Sequence, residues 1–220
     1  MKTVAIIPAY NEASTIGEVV EKVRPHVAEV LVVDDGSDDR TAEIARARGA
    51  RVVAHAINRG LGASLGTGFA AARLLDADAA ITLDADGQHD PAEIPKFLAA
   101  VGAGANLVLG TRMQDPTGMP LVRRVAQWCG NAATFCLFGA WVSDSQSGYR
   151  ALDRAALARV EIRTNRMEVS SEIVAEARRL GLRLTEVPIK AIYTDYSLSK
   201  GQGLFVGLKT LAKLVVRRLS

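Results

Sequence analysis

The chain has 220 residues, of which 49% are hydrophobic, 23% are charged and 5% are aromatic, and its formal net charge is +3. This length corresponds to about one large domain, on a scale of roughly 100–200 residues per domain, and the composition excludes a disordered, collagen-like or coiled-coil chain. The low aromatic content and the weak net charge argue against a nucleic-acid-binding platform.

The first half of the chain alternates β-rich runs with amphipathic helical patterns. The predicted strands are residues 3–8, 29–34, 51–54, 79–83 and 106–110. Thr15 and Glu18 form a capping-box pattern that predicts a helix start near Thr15. Further helices are predicted at residues 39–49, 62–75 and 91–101. This alternation predicts an α/β fold with a doubly wound, mainly parallel sheet flanked by helices.

The second half of the chain is less regular. Its predicted elements are a helix at 120–138, a polar hinge at 143–148, a strand at 149–152, a helix at 168–180, a strand at 183–188 and a final helix at 204–218. No repeat or low-complexity linker separates these elements. We therefore expect a single domain over residues 1–220.

The two cysteines and the N-terminus indicate a reducing compartment. Cys129 and Cys136 lie seven residues apart, about 10 Å along one helix, which is too far for a disulfide. The sequence contains no Cys/His cluster, so we expect no zinc site. The sequence begins with the strand pattern itself, so we expect no signal peptide. No uncharged apolar run reaches the roughly 18 residues of a spanning helix, which favours a cytoplasmic protein.

Polar residues follow four of the predicted strands, at 8–12, 34–39, 84–89 and 110–112. Each cluster alone is equally typical of a turn, because Asp, Asn and Gly are turn residues. In a doubly wound sheet, however, ligands bind at the carboxyl ends of the strands. Four clusters at that edge predict one shared crevice.

Asp84 and Asp86 are the strongest candidates for metal binding. Two carboxylates one residue apart at a strand end suit Mg²⁺ or Mn²⁺, which take oxygen ligands and share their shell with substrate phosphates. Gln88 and His89 lie close enough in sequence to add a ligand. For His89, a buried structural histidine is the alternative.

Two further patterns carry less weight. Asp76 and Asp78 precede a strand instead of following it, so we expect them in a solvated loop at the opposite edge. Gly60 and Gly62 open a predicted helix, but their spacing and place differ from the dinucleotide-binding fingerprint. A nicotinamide-dependent oxidoreductase therefore remains a disfavoured alternative, in which Asp35 would bind a ribose.

The spaced motifs together resemble family 2 glycosyltransferases with the GT-A fold. The motifs are Pro8-Ala-Tyr-Asn-Glu12, Asp34-Asp-Gly-Ser37 and Asp84-Ala-Asp-Gly-Gln-His89. Three more narrow the resemblance to polyprenyl-phosphate glycosyltransferases, the group of the dolichyl-phosphate mannose synthases. These are Asn58-x-Gly-x-Gly62, Gly110-Thr-Arg112 and Asp144-Ser-Gln-Ser-Gly-Tyr-Arg150. The resemblance runs in order from Thr3 to about Lys200.

The resemblance implies an inverting transfer of a hexose from a nucleoside-diphosphate sugar, of the GDP-mannose or UDP-glucose type, to a dolichyl or undecaprenyl phosphate. It implies Mg²⁺ or Mn²⁺ held by Asp84, Asp86 and Gln88. The residues that it implies for the donor are Pro8, Ala9, Tyr10, Glu12, Val33, Asp35, Asp84, Ala85, Asp86, Arg112 and Lys200. It also implies that Asp144, Asp86 and Arg112 act in catalysis, and that Ser147, Gly148 and Arg150 shape the acceptor pocket.

The resemblance also divides the chain by role: residues 1–112 for the donor and metal, and residues 113–203 for the acceptor. A lipid phosphate is already an anion and needs no general base, whereas a hydroxyl acceptor needs one, with Asp144 as the candidate. Asp144 as a turn cap is the structural alternative. The family usually has a basic residue about six positions before its late lysine, and that place falls near Thr194 in this chain. The phosphate contact is then either missing or supplied by Arg112, Arg123 or Arg124.

The C-terminal segment 204–219 is amphipathic, with Lys209, Lys213 and Arg217 on one helical stripe. It fits either a helix packed on the core or an interfacial helix on anionic lipid. We expect peripheral contact with the cytoplasmic face of a membrane. A soluble hydroxyl acceptor and a non-catalytic sugar-nucleotide-binding module are the remaining alternatives, and the sequence indicates no oligomeric state.

Overall fold

The computed structural model describes residues 1–113, 128, 131–132, 135, 139, 141–190 and 192. The strands within these residues are β1 (Thr3–Ala9), β2 (Glu29–Asp34), β3 (Arg51–Ala54), β4 (Ala79–Thr82), β5 (Leu107–Thr111), β6 (Arg150–Asp153) and β7 (Leu184–Pro188). The helices are α1 (Ile16–Val23), α2 (Thr41–Ala47), α3 (Leu61–Leu74), α4 (Ile94–Gly102), α5 (Arg154–Arg159) and α6 (Val169–Arg179). Short 3-10 turns precede β2 and α4, at Arg24–His26 and Pro91–Glu93.

The strands form one sheet in the order β3-β2-β1-β4-β6-β5-β7. The β1–β2, β1–β4, β2–β3 and β5–β7 pairs are parallel, and β6 alone is antiparallel to its neighbours β4 and β5. The predicted α/β fold with a mainly parallel sheet is thereby confirmed. The sequence predicted a strand near β6 but not its direction.

Helices cover both faces of the sheet, which explains why the central strands read as continuous apolar runs. On one face, Ile7 and Val32 pack with residues of α1, α2 and α4. On the other face, Ile6, Leu31 and Val33 pack with residues of α3, α5 and α6. The buried polar residues of the central strands lie at strand ends, as Thr3, Asp34, Thr82 and Thr111 do.

The predicted capping box at the start of α1 is wrong. The Thr15 hydroxyl donates to the Glu12 carbonyl at 3.3 Å and to the Glu12 carboxylate at 3.2 Å, and it caps no amide of the helix. Glu18 pairs with Lys22 at 2.5 Å instead of reaching back to Thr15. The Thr15 hydroxyl is therefore directed to Glu12 in the loop after β1 and not to the first amides of the helix.

Two other helix predictions differ from the structure. The predicted helix at 91–101 begins as the 3-10 turn, and the α-helix starts only at Ile94, next to Pro95. Helix α5 was missed because it spans six residues only. Its start carried a sequence signal, since the Asp153 side chain accepts the Ala156 N–H at 2.7 Å.

Several predictions fall outside the described residues. These are most of the helix at 120–138, both cysteines, Arg123, Arg124, Thr194, Lys200 and the segment 204–219. Within the described ranges, every helix is too short or too polar to cross a bilayer.

Candidate active site at one sheet edge

The topology brings the predicted polar clusters together. Strands β1, β2, β4 and β5 run in the same direction, so their carboxyl ends lie at one edge. The antiparallel β6 starts at that edge, where Arg150 is paired with Thr82 and Leu109. Residues 144–149 therefore reach the crevice as a fifth cluster. Asp76 and Asp78 lie at the opposite edge, as predicted, and there they bind Arg154 at 2.6 and 2.9 Å.

The loops after β1 and β2 are joined by hydrogen bonds. The Asn11 N–H donates to the Ser37 hydroxyl at 2.9 Å, and the Asp38 N–H donates to the Asn11 side-chain oxygen at 2.9 Å. Asn11 adopts a left-handed conformation, with φ of 54°, that asparagine tolerates better than most residues. The neighbouring Tyr10 is 41% exposed. The two loops thus form one platform with an accessible aromatic ring.

Asp35 is buried beneath this platform. Its carboxylate accepts the Arg59 N–H at 3.0 Å and the Gly60 N–H at 2.7 Å, and it lies 2.7 Å from His55 Nδ1. The other ring nitrogen of His55 lies 2.9 Å from the Thr67 hydroxyl. Because an ionised carboxylate only accepts, His55 carries its proton on Nδ1. His55 is thus a buried histidine with a hydrogen-bond partner at each ring nitrogen.

The glycines at 60 and 62 allow close packing. A Cβ at Gly62 would meet the Thr164 carbonyl oxygen at 2.0 Å, and the Gly62 N–H bonds to the Asn165 carbonyl at 3.0 Å. The amides of the second and third residues of α3, Gly62 and Ala63, are therefore bound to the protein, which argues against a dinucleotide site there. Val33 is fully buried in the apolar core, so only its backbone could face a nucleotide.

Asp84 and Asp86 stand at the end of β4 with different environments. The Asp84 side chain is 42% exposed. Asp86 accepts the Gln88 N–H at 3.0 Å and the Gln88 side-chain amide at 2.5 Å. Burial, and then the charge of Asp84, raise the pKa of Asp86 above its ordinary value. Gln88 thus orients Asp86 through both of its donors.

The ligand atoms that Asp84 and Asp86 offer fit a hard divalent cation. No group of three or more His, Cys, Asp or Glu side chains that could hold a metal occurs among the described residues. Asp84 and Asp86 supply only carboxylate oxygens, and Mg²⁺ is commonly held by one or two carboxylates plus water and substrate phosphates. A cation held here would need the substrate to complete its shell.

The loop before β6 packs directly against Asp84. A Cβ at Gly148 would lie 2.5 Å from Asp84 Oδ1 and 2.7 Å from Oδ2. The Thr82 hydroxyl donates to the Gly148 carbonyl at 2.6 Å and fixes this approach. The absence of a side chain at Gly148 is what leaves room for the Asp84 carboxylate.

His89 is a buried residue that contacts both the backbone and the carboxylate of Asp84. Its Nδ1 accepts the Asp84 N–H at 3.1 Å, its Nε2 lies 3.7 Å from the Asp84 carboxylate, and its ring stacks on Tyr149 with centroids 4.9 Å apart. Burial lowers the pKa of His89, so the ring is neutral at neutral pH. These contacts match the alternative of a buried structural histidine.

Arg112 and Asp144 form a bidentate ion pair. Arg112 Nε and Nη2 donate to the two Asp144 oxygens at 2.7 and 2.9 Å, and the Arg112 N–H adds a bond of 3.2 Å. The Asp144 side chain is 0% exposed and the Arg112 side chain 21%. Asp144 would have to leave this pair before it could take a proton.

Arg150 is an internal cation of the site. It is 2% exposed, and its Nε has no hydrogen-bond partner among the described residues. Burial lowers the pKa of Arg150 to about 10, while the charges of Asp84 and Asp144 oppose that shift. The guanidinium therefore stays charged at neutral pH and offsets part of the negative charge of both carboxylates.

Comparison with known proteins gives a consistent family assignment. The Glycosyl transferase family 2 model matches residues 4–160. The chain is 36% identical to a UDP-N-acetylglucosamine--dolichyl-phosphate N-acetylglucosaminyltransferase of Methanococcus voltae, an alignment that covers 97% of this chain and 95% of that protein. It is 32% identical to an undecaprenyl-phosphate mannosyltransferase of Micrococcus luteus, with 94% and 90% covered.

The fold is shared with a solved structure. Glucosyl-3-phosphoglycerate synthase from Mycobacterium tuberculosis, in complex with Mn²⁺, UDP and phosphoglyceric acid, superposes with a TM-score of 0.73. The match covers 99% of this chain and 78% of that one, at 23% sequence identity. At this identity the likeness concerns the fold alone.

Proposed function

The chain belongs to glycosyl transferase family 2, and we propose that it transfers a sugar from a nucleoside-diphosphate donor to a polyprenyl phosphate. One observation carries this proposal. Two relatives that match nearly the whole chain are named for different sugars, N-acetylglucosamine and mannose, but both are named for a polyprenyl-phosphate acceptor. The acceptor class is what they have in common, so the proposal leaves the sugar open.

The platform formed by the loops after β1 and β2 is the proposed seat of the nucleotide. Pro8 and Ala9 end β1, Tyr10 and Glu12 follow in its loop, and the exposed ring of Tyr10 offers a face on which a base can stack. Asp35, held by three donors, would add a buried carboxylate beneath the base and ribose.

Asp84 and Asp86 would hold Mg²⁺ or Mn²⁺, with Ala85 between them and Gln88 orienting Asp86. A divalent cation at this position would offset the charge that develops on the leaving nucleoside diphosphate. The buried guanidinium of Arg150 limits the repulsion between the carboxylates that surround it. Lys200 is a proposed additional contact to the donor phosphates.

The ion pair between Arg112 and Asp144 favours a phosphate acceptor over a hydroxyl acceptor. A phosphate monoester is anionic at neutral pH and can attack the anomeric carbon without losing a proton. A hydroxyl acceptor needs a base, and Asp144 has both oxygens engaged by Arg112. In the proposed reaction, Arg112 approaches the incoming phosphate, Asp144 holds Arg112 in place, and a single displacement inverts the configuration.

The proposed acceptor lies in a membrane, so the chain would work as a peripheral protein on the cytoplasmic face. The basic stripe and apolar side of the segment 204–219 are the proposed contact with anionic lipid.

The test is a calorimetric titration of UDP and GDP, each with and without Mn²⁺, followed by turnover assays. We expect one nucleotide to bind tightly only with the metal, and its sugar conjugates to donate to polyprenyl phosphate in detergent. Asp84→Asn is the matched loss-of-metal variant. The proposal is refuted if sugar passes only to a soluble hydroxyl acceptor, or if neither nucleotide shows metal-dependent binding.

A further inference from the structure

Asp144 sits between two serines that are both held by one buried side chain. We propose that Asn131 is a positioning residue, which holds the backbone on either side of Asp144 so that its carboxylate meets Arg112. Asn131 is helical and 3% exposed, and it belongs to none of the motifs that the sequence singled out. The catalytic consequence of this inference rests on the proposed function, whereas its structural part does not.

The hydrogen bonds of Asn131 bracket Asp144. The Asn131 Nδ2 donates to the Ser143 carbonyl at 2.5 Å. The Asn131 Oδ1 accepts both the N–H and the hydroxyl of Ser145, each at 3.0 Å. The orientation of the amide is unambiguous, because a backbone carbonyl can only accept and a backbone N–H can only donate.

The sheet fixes the first of these serines as well. The Ser143 N–H and hydroxyl donate to the Glu186 carboxylate of β7 at 2.7 and 2.9 Å, and the Ser143 hydroxyl lies 2.5 Å from the Thr111 hydroxyl of β5. Thr111 directly precedes Arg112. Ser143 is therefore bound to the strand that leads directly into Arg112, and Asn131 links Ser143 across Asp144 to Ser145.

The geometry implies that Asn131 acts on the ion pair and not on the substrate directly. Its three polar contacts with described residues are all with the backbone or hydroxyl groups next to Asp144. Without them, Ser145 would lose its acceptor, and the bidentate fit of Asp144 to Arg112 would lose one of its two backbone supports. A bidentate pair depends on orientation, so a small rotation is enough to disrupt it.

The experiment uses the full chain with Asn131→Ala and with Asn131→Asp, which keeps an acceptor for Ser145 but no donor for Ser143. The matched control is Asn106→Ala. Asn106 also bridges two segments, donating to Asp153 at 2.7 Å and accepting the Arg183 N–H at 2.9 Å, but at the opposite edge of the sheet.

The first readout is amide hydrogen exchange, which needs no substrate. In Asn131→Ala, we expect exchange in the segment 143–148 to accelerate by about tenfold or more, the size expected for a lost buried hydrogen bond. Asn131→Asp should fall between this variant and the wild type. Asn106→Ala should leave that segment unchanged. Unchanged exchange in Asn131→Ala would overturn the inference, whatever the chain transfers.

The second readout is a double-mutant cycle with Arg112→Lys, measured on the KM for polyprenyl phosphate. We expect Asn131→Ala to raise that KM by about tenfold in the wild-type background and by much less beside Arg112→Lys, because lysine keeps the charge but has already lost the bidentate fit to Asp144. Equal effects in both backgrounds would show that Asn131 is merely structural. If the wild type uses no polyprenyl phosphate, the proposed function fails, and the exchange result alone decides the inference.

Discussion

Gly148→Ala tests how closely the loop before β6 has to approach the carboxylate of Asp84. Gly148 has no positive φ, so alanine can adopt its backbone conformation. The added Cβ would lie 2.5 Å from Asp84 Oδ1 and 2.7 Å from Oδ2. The perturbation is therefore steric and is aimed at one of the two proposed metal ligands.

The size of the displacement follows from this distance. Carbon–oxygen contacts in proteins begin at about 3.3 Å, so the carboxylate has to move by roughly 0.8 Å. The Asp84 side chain is 42% exposed and can rotate away into solvent, so we expect little loss of stability. We expect this displacement of Asp84 to lower the metal-dependent affinity for the nucleotide by about 10–100-fold. Loss of a residue that hydrogen-bonds to a metal ligand has an effect of this size.

The assay is calorimetric titration of UDP or GDP in the presence of Mn²⁺, with a thermal melt of each variant. Gly102→Ala is the matched control, because no described residue lies within 4 Å of its added Cβ and its φ is not positive. We expect Gly102→Ala to bind as the wild type does. Metal-dependent binding by Gly148→Ala at wild-type strength would refute the assignment of Asp84 as a ligand.

Three further predictions use other features of the site. Asp86→Asn should lose at least about tenfold in metal-dependent nucleotide affinity. The pKa of Asp86 is raised in the folded state, so ionisation of this carboxyl lowers the stability of the fold as the pH rises through that pKa. Asp86→Asn should therefore have a higher melting temperature than the wild type at neutral pH. A lower melting temperature would contradict this. His89→Leu leaves the Asp84 N–H without its acceptor and should lower the free energy of unfolding by about 1–3 kcal/mol in a denaturant titration, whereas an unshifted midpoint would speak against that bond. Trp128 and Trp141, the two tryptophans of the chain, are 61% and 60% exposed. Their fluorescence should therefore shift to shorter wavelength when the protein binds anionic vesicles. Vesicle binding without such a shift would show that the two tryptophans do not contact the membrane.

The sequence predicted the parallel part of the sheet because each of its strands is followed by a local helix or turn signal. The clusters at 84–89 and 110–112 could be placed at one edge for the same reason. The direction of β6 could not be predicted, because it is set by pairing of Arg150 with Thr82, far away in sequence. That pairing is what brings Gly148 against Asp84.

The contacts of the site residues were harder to predict than their location. Asp144 was recognised as a candidate base, but its engagement by Arg112 depends on the register of two distant segments. Asn131 carried no signal at all, since a single asparagine in a helical pattern resembles any polar position. Its role becomes visible only when the three partners at Ser143 and Ser145 are seen together.

The antiparallel pairing of β5 with β6 has a consequence for how such a protein can diversify. Among the residues that the structure describes, β5 ends at Thr111 and β6 begins at Arg150, and the two strands are neighbours with Leu109 opposite Arg150. The segment between them starts and finishes at almost the same place, as an inserted module does. Insertions of this kind are tolerated because lengthening a closed loop costs little entropy, roughly 0.6 kcal/mol for each doubling. Under the proposed division of roles, with the donor bound by residues 1–112 and the acceptor by residues 113–203, exchange of this segment between relatives should alter the choice of acceptor and leave the choice of nucleotide unchanged.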